Sequence, residues 1–556
     1  MPKPSRVHQP TIPVWGQVRL PGDTPEEVVE FVRTNHWGRA PLEHADCGVA
    51  LPHKSGITPT SSALEPKHRL VVLGDSLSHG FQHFAVRDTT LSWGAILAAE
   101  AEFEFRTPDF AFGSGMPLNL EEVARTLGAR NKPELPLRSL PSALIAVRRV
   151  MAKTHDTWQR GDGRLPSYAP TPGVHIDALA QWGFDVLDAL HHTELTQRNL
   201  MKHQRPSALV PFLHEADLLS SARVLSAVHD DCGRPLSFVE GAEYLGRDGG
   251  IDTLVVALGA NNALGTVKGL TITWSNNGHD DPQCKGAYNL WKPEHFRAVY
   301  DRLVDRVTHI NARRVVFCTI PHVTIAPIAR GVGDKSRDGS RYFPYYTRPW
   351  ITDARFQPTR DAHLTGAEAR AIDATIDCYN AHIESIVRQG RELGHDWHCF
   401  ELSGLLDQMA SRRYINDPSA RPPWWKHAPL PEGLQHISPV LDTQFFDSAP
   451  RHRAQPRGHR IQGGWFGLDG VHPTTTGYAY LAWSMANMLR DAGVEFPHCD
   501  ADGTVGFHWE RWTAADTLLS APPASVRAAL HRIAQADELS DHILGPAREL
   551  VRRFQR

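Results

Sequence analysis

The sequence predicts an α/β protein in which helices cover both faces of a parallel sheet. The first observation is a set of three apolar runs: HRLVVLGDS at 68–76, IDTLVVALGANN at 251–262 and RRVVFCTIPHV at 313–323. Continuous apolar character is typical of strands that are buried on both faces. The second observation is that amphipathic patterns of helical period, such as 293–312 and 365–394, separate or follow these runs. Strands that alternate with helices indicate a parallel sheet.

Two weaker runs complete the predicted sheet, FEFRTPDFAF at 103–112 and HDWHCFEL at 395–402.

Three other stretches are longer than ordinary loops. Residues 116–250 carry several amphipathic patterns and are expected to form an inserted helical cap. Residues 324–362 and 403–465 are rich in proline, glycine, arginine and aromatic residues, and each begins just after a strand. Segments that leave the carboxyl ends of parallel strands line the ligand crevice, so both should border a site.

The chain of 556 residues is long enough for two or three domains, or for one domain with large insertions. We expect an irregular N-terminal leader at 1–65, a central domain at 66–490 that contains the insertions, and a helical appendage at 491–556. The oligomeric state is left open.

Composition excludes several classes of function. Hydrophobic residues make up 41% and charged residues 22%, as in ordinary globular proteins. A net charge of −3 gives no electrostatic reason to expect nucleic acid as a partner. No apolar run is long enough for a transmembrane helix, and the absence of an apolar signal region near the N-terminus predicts a cytoplasmic location. The seven cysteines form no CxxC pair and no metal-ligand spacing is present, so neither disulfides nor a metal is expected.

Two short motifs carry residues suited to nucleophilic catalysis. Gly74-Asp75-Ser76-Leu77 lies where the first strong strand ends, although a serine that caps a helix after a glycine turn would look the same. Asp469 and His472 lie three residues apart, just before the pattern PTTTGYAYLAW. At this spacing a carboxylate can orient one imidazole nitrogen while the other nitrogen takes a proton from serine. An aspartate turn followed by a histidine near a helix start is the simpler alternative.

A third motif, Gly259-Ala260-Asn261-Asn262, also follows a predicted strand. Acyl transfer requires hydrogen-bond donors directed at the oxyanion, and an asparagine amide can supply one. Taken by itself, an asparagine-rich turn is the more ordinary interpretation.

The three motifs together, in this order and each at a predicted strand end, resemble the conserved blocks of the SGNH/GDSL hydrolase superfamily. Its first block matches Gly74-Asp75-Ser76, its third matches Gly259-x-Asn261 with Asn262 in place of aspartate, and its fifth matches Asp469-x-x-His472. The resemblance covers the sheet core, about half of the chain. It implies a three-layer, flavodoxin-like parallel sheet of strand order 2-1-3-4-5.

The resemblance also implies roles for individual residues. Ser76 would be the nucleophile, His472 the general base and acid, and Asp469 the residue that orients His472. The oxyanion would be bound by the N–H of Ser76, the Asn261 amide and the N–H of a second-block glycine, which is Gly113 or Gly115 in PDFAFGSGMP. No metal or organic cofactor is implied. The sequence around Ser76 is not GxSxG, which argues against an α/β-hydrolase elbow.

The expected function is therefore a serine esterase or lipase that acts on a small or lipid-like ester. Trp465 and Phe466 lead directly into Asp469 and are predicted to bind substrate, although such aromatic residues could equally pack the insertions onto the body. Two alternatives remain: a carbohydrate O-acetylesterase of the same superfamily, and a non-catalytic binding module on the same fold.

Overall fold

The structure is a computed structural model, and it describes a defined set of ranges. These are residues 20–42, 65–110, 115–128, 172–203, 211–282, 287–335, 340–349, 351, 353–410, 413–414, 417–426, 430–435, 464–501 and 503–523. Much of the predicted cap (129–171), of the loop 403–465 (436–463) and of the appendage (524–556) lies outside the described residues.

Five parallel strands form the central sheet. They are β1 His68–Gly74, β2 Ala178–Ala180, β3 Ile251–Ala257, β4 Ala312–Cys318 and β5 Trp397–Phe400. They lie side by side in the order β5-β4-β3-β1-β2. Val72 in β1 is paired with Ala178 on one side and with Val255 on the other, and Val255 is paired with Val316. The predicted α/β fold with a parallel sheet is confirmed, and four of the five predicted strands are present.

Sixteen helices are described along the same ranges. They are α1 Glu26–Thr34, α2 Ser76–His79, α3 Trp93–Glu100, α4 Leu120–Gly128, α5 Val186–His191, α6 Glu194–His203, α7 Pro211–Leu225, α8 Phe238–Arg247, α9 Asn261–Gly269, α10 Pro293–Thr308, α11 Gly366–Glu392, α12 Leu402–Gln408, α13 Glu432–Gln435, α14 Thr475–Asp491, α15 Trp509–Ala515 and α16 Thr517–Ser520. Short 3₁₀ helices occur at Thr89–Leu91, Val323–Ile325 and Pro418–Ala420.

Each face of the sheet has its own apolar cluster. On one face, strand side chains such as Leu70 and Val316 pack with α3 and α14. On the other face, Val71 and Phe317 pack with α8, α10 and α11. Neighbouring residues of a strand point to opposite faces, so a strand in the middle layer must be apolar at successive positions. This is why β1, β3 and β4 are recognisable as continuous apolar runs.

Two small antiparallel sheets lie outside the central one. Phe81–Gln82, Ala85–Val86 and Met116–Pro117 form the first, and Arg330–Gly331, Tyr345–Thr347 and Leu364–Thr365 form the second. The strands Phe81–Gln82 and Ala85–Val86 pair with each other and follow α2 directly, and we call them the 81–86 hairpin.

The prediction of a strand at 103–112 is wrong for its described part, because residues 103–110 contain no strand. The second strand of the sheet is β2, which lies inside the stretch predicted as a helical cap. Pro108 lacks an N–H for a sheet ladder, which explains why the first candidate fails. Residue Arg106 instead binds Asp177, just before β2, with its guanidinium and its backbone N–H.

Parts of the predicted leader and appendage pack on the central domain. Helix α1 contacts α11. Val505 and Trp512 belong to the apolar cluster of α3 and α14, and the indole N–H of Trp512 donates to Glu100 at 2.6 Å. Within the described ranges, no helix combines the length and apolar character needed to cross a membrane.

Candidate active site

Ser76 is the first residue of α2, immediately after β1. Asp75 precedes it and caps the helix, accepting a hydrogen bond from the Leu77 N–H at 3.0 Å. Gly74 ends the strand, and a Cβ at this position would lie 2.2 Å from the Ser78 hydroxyl oxygen. The tight turn therefore requires glycine, and it presents Ser76 at the carboxyl edge of the sheet.

The structure brings the predicted serine, histidine and aspartate into direct contact. Ser76 Oγ lies 2.8 Å from His472 Nε2, although the two residues are 396 positions apart in the chain. The other imidazole nitrogen, Nδ1, lies 3.1 Å from Asp469 Oδ2. All three side chains are buried. A donor on Nδ1 facing the carboxylate leaves Nε2 as the acceptor for the serine proton, which is the arrangement that nucleophile activation requires.

Backbone N–H groups hold the Asp469 carboxylate in place. Its Oδ1 accepts from Val471 N at 2.8 Å and from His472 N at 2.9 Å, and its Oδ2 accepts from Phe84 N at 2.8 Å. Burial alone would raise the pKa of Asp469, but the His472 side chain and the N–H groups of His472 and Val471 together lower it to about 2. The carboxylate therefore stays ionised and can stabilise an imidazolium on His472.

The 81–86 hairpin connects the turn that carries Ser76 to the loop that carries Asp469 and His472. His83 and Phe84 both have left-handed backbone conformations, with φ of 54° and 64°. This conformation directs the Phe84 N–H at Asp469, while His83 Nδ1 accepts from the Leu468 N–H at 2.9 Å. Non-glycine residues adopt such φ values at a cost, which persists where surrounding contacts determine the backbone.

Further contacts join the same hairpin to the start of α14. The Tyr478 hydroxyl donates to the Phe81 carbonyl oxygen at 2.6 Å, and Thr475 Oγ1 donates to Gln82 Oε1 at 3.3 Å. The Phe81 ring also packs on the imidazole of His472, with 4.6 Å between ring centroids. The sequence did not predict a role for these residues at the site, because nothing in residues 81–84 indicates contact with a motif almost four hundred positions later.

Asn261 lies at the first turn of α9 and is half-buried. Its amide Nδ2 donates to the Phe184 carbonyl oxygen at 2.8 Å, in the loop after β2. A primary amide carries two N–H donors, so this contact orients the group and leaves a second hydrogen. Gly259 has φ of 128°, and a Cβ there would meet Ile320 at 2.4 Å, so the turn before Asn261 also requires glycine.

Of the two candidate oxyanion glycines, Gly115 lies within the described residues. Gly113 lies outside the described residues. Gly115 lies beside the 81–86 hairpin, where a Cβ would be 2.9 Å from the Val86 carbonyl oxygen. Both were assigned because PDFAFGSGMP at 108–117 occupies the place of the second block in order, and the described part of the run at 103–112 is not a strand. The glycine that follows the actual second strand is Gly183, one residue before Phe184.

Trp465 and Phe466, the predicted substrate-binding residues, are both buried. Trp465 packs edge-on against Tyr480, with 4.8 Å between ring centroids, and its carbonyl oxygen accepts from Thr474 N. Phe466 is bridged to Pro473. These contacts fold the loop at 464–474, which we call the triad loop because it carries Asp469 and His472, onto α14. A role in substrate binding stays a prediction.

Two buried groups next to the serine have shifted pKa values. Burial raises the pKa of Asp75 to about 6, although the Leu77 N–H and His472 favour its ionised form. Burial also lowers the pKa of His79 to about 3, which keeps that imidazole neutral. His79 Nδ1 accepts from the Trp182 N–H at 3.3 Å, so this histidine ties α2 to the loop after β2.

A buried ionic cluster, which the sequence did not reveal, lies behind the strand ends. His322 Nδ1 is 2.8 Å from Asp407 and its Nε2 is 3.1 Å from Asp377. Burial opposes a charge on His322, but the surrounding carboxylates outweigh it and raise its pKa to about 10. Arg413 pairs with Asp373 at 2.9 Å in the same cluster. Both ring nitrogens of His322 are thus engaged by carboxylates, which makes it a structural cation.

Within the described ranges, no group of three or more histidine, cysteine, aspartate or glutamate side chains is arranged to hold a metal ion.

Comparisons with known proteins give no family for this chain. No protein-family model matches it, and a search of curated proteins found no similar sequence. The contacts of Ser76, His472 and Asp469 must therefore carry the functional argument.

Proposed function

We propose that this protein is a serine-dependent carboxylic-ester hydrolase with Ser76, His472 and Asp469 as its triad. One observation carries the proposal: Ser76 Oγ meets His472 Nε2 at 2.8 Å while Asp469 holds the opposite nitrogen. A serine hydroxyl becomes a useful nucleophile when a base accepts its proton and a third group orients that base. The sequence resemblance to SGNH/GDSL hydrolases points to the same three residues.

In the proposed reaction, Ser76 Oγ attacks the ester carbonyl carbon as its proton moves to His472 Nε2. The tetrahedral intermediate collapses, the bond to the alcohol oxygen breaks, and the imidazolium gives its proton to the leaving alcohol. Water then attacks the acyl-enzyme and loses a proton to His472. Release of the carboxylic acid returns that proton to Ser76, so the enzyme is regenerated and no external reactant besides water is needed.

As oxyanion donors we propose the N–H of Ser76, an N–H of the Asn261 amide and the N–H of Gly183. Asn261 is oriented by Phe184, the residue after Gly183, so these two donors come from contacting loops. Gly183 takes the place that the sequence assigned to Gly113 or Gly115. Loss of one such donor typically lowers kcat by about 10²–10³.

A flavodoxin-like assignment of the sheet is part of the proposal. Numbered along the chain, the strands lie in the order 2-1-3-4-5, and Ser76 follows the first of them at the point where the order reverses. Ligands of open α/β sheets bind in the crevice at that point.

The test compares hydrolysis of p-nitrophenyl esters by the wild type and by Ser76→Ala. Ser484→Ala is a matched control, because Ser484 lies on α14 and its hydroxyl donates to the Tyr480 carbonyl oxygen. We expect Ser76→Ala to lose about 10⁴-fold or more in kcat with an unchanged circular dichroism spectrum, and Ser484→Ala to keep wild-type activity.

A fluorophosphonate should label the wild type at Ser76, as located by mass spectrometry. Turnover by Ser76→Ala equal to that of the wild type would refute the mechanism. Hydrolysis confined to acetyl esters, with acetate released from polysaccharide, would instead indicate a carbohydrate O-acetylesterase. Wild-type hydrolysis no faster than the uncatalysed reaction in buffer would leave a binding module.

A further inference from the structure

A closed ring of hydrogen bonds joins helix α7 to the loop after β2. The hydroxyl oxygen of Ser220 accepts from the Trp182 indole N–H at 2.9 Å, and the hydroxyl donates to Gln181 Oε1 at 3.1 Å. Gln181 Nε2 in turn donates to the Trp182 carbonyl oxygen at 3.1 Å. Ser220 and Gln181 are both fully buried. We call these three residues the 181–220 network. A buried network whose members bond to one another holds them in a single arrangement.

This network fixes the orientation of the peptide group between Trp182 and Gly183. A peptide group is planar and trans, so its carbonyl oxygen and its N–H point in opposite directions. The hydrogen bond from Gln181 to the Trp182 carbonyl oxygen therefore determines where the Gly183 N–H points. The preceding peptide group is fixed as well, because the Trp182 N–H donates to His79 Nδ1. The Gly183 N–H is one of the proposed oxyanion donors.

The same loop holds the second proposed donor. The Phe184 N–H donates to the Gln181 carbonyl oxygen at 3.2 Å and closes the turn, and the Phe184 carbonyl oxygen accepts from the Asn261 amide at 2.8 Å. The Gln181 N–H donates to the carbonyl oxygen of Gly74, two residues before Ser76, at 3.3 Å. The loop is thus connected to the nucleophile turn on one side and to Asn261 on the other.

We propose that Ser220 and Gln181 are positioning residues for the oxyanion donors. Helix α7 belongs to the stretch between β2 and β3, and it would act on the reaction through the loop after β2. The inference rests on the proposed esterase function. Donors that are directed at the oxyanion stabilise the charge that develops in the transition state, so poor alignment should weaken the transition state more than the substrate complex.

The variant Ser220→Ala opens the 181–220 network at two of its three bonds. We expect kcat for p-nitrophenyl butyrate to fall about 10- to 100-fold while KM changes by less than about threefold. Inhibition by propyl trifluoromethyl ketone gives a second measurement, because its adduct with Ser76 carries the same oxyanion. Its inhibition constant should rise by the factor by which kcat/KM falls.

Ser221→Ala is the matched control, because Ser221 is the next residue of α7 and is equally buried. Its hydroxyl donates to Gln197 Oε1 at 2.8 Å, and Gln197 lies in α6. Each variant removes a buried bond between a serine and a glutamine, so both should lower the urea midpoint of unfolding by similar amounts. We expect only Ser220→Ala to lower kcat and to weaken the inhibitor.

Trp182→Phe opens the network from the other side, since it removes the indole donor and keeps an aromatic ring beside Phe81. It should also lower kcat, and the double variant with Ser220→Ala should lose less than the product of the two single losses, because both changes break the same network. Equal kcat in Ser220→Ala and Ser221→Ala, or losses that simply multiply, overturns the positioning inference while Ser76-dependent hydrolysis stands. Hydrolysis that does not depend on Ser76 overturns the esterase proposal and the positioning role together.

Discussion

Asp75 should make the stability of this protein fall as pH rises from about 4 to about 7. Its carboxyl group is buried, and burial raises its pKa from 3.8 to about 6. The folded state therefore binds more protons than the unfolded state between these values, so the free energy of unfolding decreases with pH in that window. A difference of about two pKa units corresponds to about 3 kcal/mol, lost in full above the folded-state pKa.

The substitution Asp75→Asn isolates this contribution. Asparagine keeps an oxygen that can accept from the Leu77 N–H, but it cannot titrate. The new NH₂ group changes the free energy of unfolding by the same amount at every pH. This amount cancels when the difference in that free energy between two pH values is compared for the wild type and the variant. From the two pKa values, the wild type should lose about 2 kcal/mol more than Asp75→Asn between pH 4.5 and pH 8.

Urea unfolding at both pH values, followed by circular dichroism, measures the difference. Asp88→Asn provides the control, because Asp88 is also a capping aspartate that accepts from the N–H two residues later, and it lies outside the triad. An equal pH dependence of the free energy of unfolding in the wild type and Asp75→Asn would refute the reasoning. An equally reduced pH dependence in Asp88→Asn would refute it as well.

Three further predictions concern the triad loop and the ionic cluster. Asp469→Asn should lower kcat for p-nitrophenyl esters by about 10⁴ with little change in KM, because the wrong tautomer of histidine is then favoured; unchanged kcat would contradict it. His83→Ala should destabilise the fold by about 1–3 kcal/mol in urea unfolding, since the Leu468 N–H loses its acceptor, and kcat should fall more than KM changes. His83→Asn should restore both, because asparagine offers an acceptor and tolerates positive φ; equal damage in both variants would count against a positioning role. Arg413→Met should cost about 3–5 kcal/mol in the same unfolding assay, because it leaves a buried carboxylate uncompensated, whereas Arg388→Ala on the exposed face of α11 should cost under about 0.5 kcal/mol.

The sequence could predict the strands whose own residues form a continuous apolar run. Each of β1, β3 and β4 has seven residues and is buried on both faces, so its letters are apolar whatever the rest of the chain does. The strand β2 has three residues and is followed within six positions by a helix. Its apolar letters merge with the helical period of 186–191, so the surrounding pattern predicts a helix. The candidates Gly113 and Gly115 follow the run at 103–112, which stood in the predicted order where β2 stands in the structure.

The candidate site residues were predictable for a different reason. Ser76, Asn261 and His472 lie in short motifs, and the loops that hold Ser76 and Asn261 require glycine at Gly74 and Gly259. Motifs of this kind are local, so a single sequence displays them. What remained hidden was the support around them, which is made by residues far apart in the chain.

The 81–86 hairpin shows why such support cannot be derived from a single sequence. Local propensity argues against positive φ at His83 and at Phe84, since neither is glycine, and the sequence alone would favour ordinary β conformations there. The strained backbone is offset by hydrogen bonds to Asp469 and Leu468, which exist only when the chain has brought the triad loop back to β1. Local and global preferences therefore conflict at this turn, and conflict of this kind is expected where a site must be held in one geometry.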